Sequence, residues 1–117
     1  MPEPVVIYHN PRCSKSRATL QLLRDRGIEP EVVEYLHTPP SQTELERIFE
    51  LLGKEPRDLM RHTEPEYRAA GLDDPRLGRG DLIRALQEHP KLLERPIVLA
   101  NGKAALGRPP EQVLEIL

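Results

Sequence analysis

Residues 5–35 read "VVIYHNPRCSKSRATLQLLRDRGIEPEVVEY", and this stretch decides the fold. Val5 to Tyr8 form a short apolar run of the kind found in a buried strand. A helix is predicted from about residue 14 to residue 26, with Ala18, Leu22 and Leu23 as candidates for its inward face. Gly27 supplies a helix stop, Ile28 packs behind it, and Pro30 bars continuation. Glu31 to Tyr35, "EVVEY", form the second strand. Strand, helix and strand in so short a span make a βαβ unit, whose crossover is right-handed.

The other end of the chain is equally legible. "PIVLA" (96–100) and "KAAL" (103–106) are joined by Asn101-Gly102, the strongest short signal for a β-hairpin because both residues tolerate positive φ. Pro109 and Pro110 open a final helix with Val113, Leu114 and Leu117 on its apolar face. Between the two ends, residues from about 41 to 89 read as a helical block. Ser41 with Glu44 and Thr63 with Glu66 have the spacing of capping boxes, and Asp81 can cap a helix carrying Leu82, Ile83 and Leu86. The order β-α-β, helical block, β-β-α predicts an α/β fold: a mixed four-stranded sheet with flanking helices. No linker or repeat interrupts the chain, so residues 1–117 are read as one domain with the helical block inserted between its halves.

Composition narrows the function. With three tyrosines, one phenylalanine and no tryptophan, the core must be built from Leu, Ile, Val and Ala. A formal net charge of -2 and so few aromatics argue against nucleic-acid binding. No apolar run reaches membrane-spanning length, and "MPEPVVIYHN" lacks the zones of a signal peptide, so a cytoplasmic, membrane-free protein is expected. A monomer is expected. The single cysteine rules out an internal disulfide, and the spacing of His9, His37, His62 and His89 offers no metal site.

Cys13 stands where the first strand gives way to the first helix. A helix N-terminus presents free N–H groups and partial positive charge, both of which favour thiolate over thiol. Arg12, Lys15 and Arg17 add positive charge, and Ser14 and Ser16 add hydroxyls. A buried structural cysteine is the plain alternative, but these polar neighbours make a poor apolar lining. A reactive nucleophile is the better reading. His9 either bonds the cysteine loop, helps set the thiol pKa, or is a partly exposed loop residue. Arg61, Arg95 and Arg108 each stand at an element boundary, and each on its own reads equally well as a solvated surface arginine. A βαβ unit with cysteine at the first helix start, followed by X-Pro entering a hairpin, has the thioredoxin layout. Pro96 then faces the cysteine, in cis; otherwise it is an ordinary edge-strand proline.

Two segments carry a more specific likeness. "IYHNPRCSKSR" near the start and "RPIV…NGKAALGRPPEQVLEIL" at the end resemble the glutaredoxin-dependent arsenate reductase (ArsC-like) family, within the thioredoxin fold. The resemblance covers essentially the whole chain, including the "LMR" of the helical block. It implies that Cys13 is the nucleophile, that Arg61, Arg95 and Arg108 bind an oxyanion, and that His9 and Ser16 support the thiolate. It also implies arsenate as substrate, glutathione as co-substrate, glutaredoxin as protein partner, and no bound cofactor. A lone cysteine agrees with a need for an external thiol. Ser14-Lys15-Ser16 stands where arsenic-resistance members often have Gly-Thr-Ser, and this feature resembles a chromosomal, YfgD-like subgroup.

Two other functions fit the same fold. A general glutathione-dependent thiol-disulfide reductase would use the same nucleophile. A regulator of the Spx type, binding RNA polymerase, commonly carries C-x-x-C, whereas positions 10 and 16 here are asparagine and serine.

Overall fold

The structure, a computed structural model, describes residues 4–117. The chain divides into two compact units. One comprises the described residues up to Thr38 together with Arg95–Leu117, and the other comprises Pro39–Glu94.

The first unit holds a four-stranded sheet in the order β2-β1-β3-β4. β1 (Val6–Tyr8) pairs in parallel with β2 (Glu31–Val33), Ile7 lying beside Val32. β3 (Ile97–Ala100) runs antiparallel to β1, with Val98 opposite Ile7, and antiparallel to β4 (Lys103–Leu106), with Val98 opposite Ala105. This is the mixed, thioredoxin-like sheet expected from the sequence. The β3–β4 turn has Asn101 at φ 54° and Gly102 at φ 71°, as an Asn-Gly hairpin requires. β2 ends at Val33 rather than Tyr35, because the carbonyl of Glu34 accepts turn bonds from the N–H groups of His37 and Thr38.

α1 (Ser14–Asp25) and a terminal 3₁₀ segment (Pro110–Ile116) cover one face of the sheet. Their core joins Leu23, Val113 and Ile116 to Ile7, Val98 and Ala100. α1 ends as anticipated. Gly27 at φ 76° donates to Arg24 O, and Ile28 N–H donates to Leu23 O at 3.0 Å, the paired bonds of a Schellman motif. Its inward face differs from the expected one: Ser16, Thr19 and Leu23 are buried, Leu22 is half-buried, and Ala18 is exposed. Small polar residues can face inward because their hydroxyls find partners, Thr19 bonding the carbonyl of Lys15 at 2.7 Å. The last element is 3₁₀ rather than α. Its N–H groups bond three residues back, as Gln112 does to Pro109 O, and the Ile116 carbonyl is taken by the Asn101 side chain at 2.8 Å.

The second unit is mainly helical. α2 (Gln42–Leu52) has the predicted capping box, with Ser41 Oγ accepting from Glu44 N–H at 3.1 Å and Glu44 Oε1 accepting from Ser41 N–H at 3.3 Å. Leu45, Ile48 and Phe49 are buried, and Gly53 closes the helix at φ 64°. α3 (Pro65–Ala69) is capped by Glu64 rather than Thr63, because Pro65 takes the first helical position, where its missing N–H costs least. α4 (Arg79–Glu88) starts after Gly78. Asp81 caps it from inside the first turn, its carboxylate accepting the Gly78 N–H at 3.0 Å. Two 3₁₀ turns, Pro56–Leu59 and Pro90–Leu92, flank a short antiparallel bridge between Met60 and Leu93. Among the described residues, no helix is long and apolar enough to cross a membrane.

Candidate active site

The chain from Tyr8 to Ser14 turns sharply between β1 and α1. Asn10 makes this turn: its side-chain Oδ1 accepts from Arg12 N–H at 2.9 Å, and its carbonyl accepts from Cys13 N–H at 3.0 Å. Cys13 thereby becomes the N-cap residue of α1, in extended conformation and half-buried.

Burial alone would push the Cys13 thiol up. The backbone N–H groups of Ser16 and Lys15 and the Arg95 guanidinium outweigh it and hold the pKa below the ordinary thiol value. The sulfur therefore sits in a site built to favour its anion.

Behind it lies a buried polar cluster. His9 Nδ1 is 2.6 Å from Ser16 Oγ, and that oxygen also accepts the Asn10 N–H at 3.0 Å. His9 and Ser16 are both buried. Burial lowers the His9 pKa despite the nearby Glu34 carboxylate, and so favours the neutral ring. The structure gives Ser16 two separate tasks: its N–H favours the thiolate, while its hydroxyl ties His9 to the turn. Ser16→Ala is expected to cost about 2 kcal/mol of stability by stranding buried polar groups, measured by urea unfolding. The same variant should leave the pH midpoint of Cys13 alkylation nearly unmoved. A clear upward move would show that the hydroxyl itself holds the thiolate.

Arg95 and Arg108 belong to the same unit as Cys13. The Arg95–Pro96 bond is cis, as expected, and so is Arg108–Pro109, which the sequence did not announce. Arg108 Nη1 donates to the Arg95 carbonyl at 3.0 Å, tying the second arginine to the backbone of the first. Arg95 Nε is buried without a hydrogen-bond partner. Arg61 lies in the helical unit, where its Nε is 3.3 Å from Glu64 Oε1 and its backbone N–H donates to Leu92 O at 2.7 Å.

Gly107 is a site residue that periodicity could not reveal. A Cβ there would come within 2.6 Å of Pro96 Cγ and closer still to Thr19 Oγ1, while its N–H donates to Pro96 O at 2.9 Å. The bare glycine lets the Arg108 segment lie against Pro96 and α1. Gly107→Ala is expected to destabilise the protein by about 1–3 kcal/mol through overpacking, read as a fall in the urea midpoint. A change under about 0.5 kcal/mol would mean the neighbours yield freely.

The ArsC family model matches residues 8–116, spanning this turn, the helical unit and both Arg-Pro segments. The chain belongs to the ArsC family. An arsenate reductase of Neisseria meningitidis is 57% identical over 118 aligned positions, covering 100% of both chains. The uncharacterized protein YfgD of Escherichia coli K12 is 55% identical and covers 100% of this chain and 99% of its own. Among solved structures, an arsenate reductase from Vibrio cholerae superimposes with a TM-score of 0.93 at 57% identity, over 97% of each chain. In this ArsC-family chain, then, Cys13, His9, Ser16, Pro96, Arg95 and Arg108 all belong to one compact unit, and Arg61 to the other.

Proposed function

We propose that the protein reduces arsenate to arsenite, with glutathione and glutaredoxin as electron donors. One observation carries most weight: the only cysteine caps a helix, beside an arginine that helps hold it as thiolate. Relatives named arsenate reductase, full-length and more than half identical, supply the substrate. Arsenate is largely a dianion at neutral pH, and guanidinium forks match its oxygens in charge and geometry.

In this mechanism the Cys13 thiolate attacks arsenic, and one oxygen, once protonated, leaves as water. The glutathione sulfur displaces a second oxygen in the same way. A glutaredoxin thiolate then attacks that glutathione sulfur. The sulfur–arsenic bond breaks and its electron pair stays on arsenic, which passes from As(V) to As(III). The two sulfurs depart as a glutaredoxin–glutathione mixed disulfide. Hydrolysis of the remaining Cys13–arsenic bond frees arsenite and the thiolate. Arg95 and Arg108 serve as oxyanion ligands, the role that the family resemblance also gives to Arg61, and His9 and Ser16 keep the turn in shape.

The test is arsenate-dependent NADPH oxidation with glutathione, glutaredoxin and glutathione reductase supplied. Turnover dependent on all of these supports the reading. Folded protein that reduces a small mixed disulfide but not arsenate would instead be a general thiol reductase.

A further inference from the structure

The turn that presents Cys13 also forms one wall of a cavity of about 180 Å³. It is lined by residues 9–12 together with Glu34, Leu36 and His37, in the turn after β2. Cavity and nucleophile share a loop, since Asn10 lines the cavity and its carbonyl receives the Cys13 N–H. Pro11 and Leu36 supply apolar surface, while Arg12 and Glu34 bring opposite charges on exposed side chains. Among the described residues, neither of these two charged groups is taken up by an ion pair. A cation and an anion flanking a small, partly apolar cavity are complementary to a zwitterion.

A lone cysteine that has bonded to a substrate atom has no second thiol in the chain to supply the reducing electrons. In the proposed mechanism an external thiol must reach the arsenic held on Cys13, and this cavity is lined by the turn that carries Cys13. We propose that the cavity binds the amino-acid end of a small zwitterionic peptide thiol, Glu34 facing its ammonium and Arg12 its carboxylate. Glutathione is the member of this class that the proposed function requires, and the inference rests on that function for the thiol's identity. The cavity is smaller than the roughly 300–1,000 Å³ that encloses a whole drug-sized ligand, so one end is held and the sulfur is left outside to approach the arsenic on Cys13. Both charged groups are solvated, so affinity is expected in the millimolar range.

The experiment is an amide-shift titration of the isotopically labelled full chain with S-methylglutathione, which cannot react. Saturable shifts concentrated at residues 9–12 and 34–37 are expected, with Arg12→Glu and Glu34→Lys each weakening the dissociation constant by about tenfold. Both positions are exposed, and an unchanged melting temperature checks that the variants fold. In the coupled assay the same variants should raise KM for glutathione with no matching rise in KM for arsenate. Shifts that cluster elsewhere, that ignore both charge reversals, or that never saturate would overturn the proposal. If wild-type protein fails to turn over arsenate, the proposed function falls, and the titration still decides the cavity.

Discussion

Cys13→Ser should leave a folded protein with no arsenate-dependent NADPH oxidation. The loss is expected to be roughly 10³-fold or more, down to the background of the coupled assay. Serine is nearly isosteric, and the Cys13 N–H bond to Asn10 is made by the backbone, so the turn survives the change. What disappears is the anion. The α1 N–H groups and Arg95 stabilise a thiolate, but no comparable setting ionises a serine hydroxyl near neutral pH. In the wild type the same forces predict a pH profile. Alkylation of Cys13 by iodoacetamide should reach half its maximal rate below the unperturbed thiol value of about 8.5, because the folded pKa is lowered. Below that midpoint the rate falls as the thiolate takes up a proton. A midpoint at or above about 8.5, or substantial turnover by the serine variant, would remove Cys13 from the nucleophile's role.

Much of this site could be read from residue order because it depends on local chemistry. Asn-Gly, Gly27 before Ile28, and Ser41 with Glu44 each fix a backbone conformation from a few neighbouring residues, and each appears as expected. The cis proline before β3 likewise follows from its place in the layout. The misses share a different cause. Ala18 looked like the inward residue of α1 because it is apolar, yet Ser16 and Thr19 are buried since His9, Asn10 and the Lys15 carbonyl satisfy them. Hydrophobic periodicity has no means of seeing a buried polar cluster. Thr63 lost its capping place to a proline preference two residues on, and Asp81 bonds from within its helix. Gly107 matters through contacts with residues far away in sequence, Thr19 and Pro96, which only the fold brings near.

Arg95→Ala carries the second large effect, because in the proposed mechanism Arg95 acts on both partners of the first chemical step. Its guanidinium lowers the Cys13 pKa through hydrogen bonding and charge, and its buried Nε keeps a donor that no protein group uses. Removing it should therefore move two observables together. The alkylation midpoint of Cys13 should rise toward the unperturbed thiol value, since burial then acts with less opposition. In parallel, kcat/KM for arsenate should fall by on the order of 10²-fold, the usual cost of losing one preorganised donor from an anion site. Arg95→Lys separates the two contributions. A lysine retains the positive charge but loses the guanidinium hydrogen bond, the larger of Arg95's two contributions, so the alkylation midpoint should rise part of the way seen in the alanine variant. Its single ammonium cannot reproduce a planar fork, leaving arsenate KM elevated. Arg108 helps hold this geometry through its bond to the Arg95 carbonyl, which survives either substitution because the acceptor is backbone. An alanine variant whose alkylation profile stays in place while kcat/KM falls would confine Arg95 to anion binding. One that loses neither would exclude it from the site.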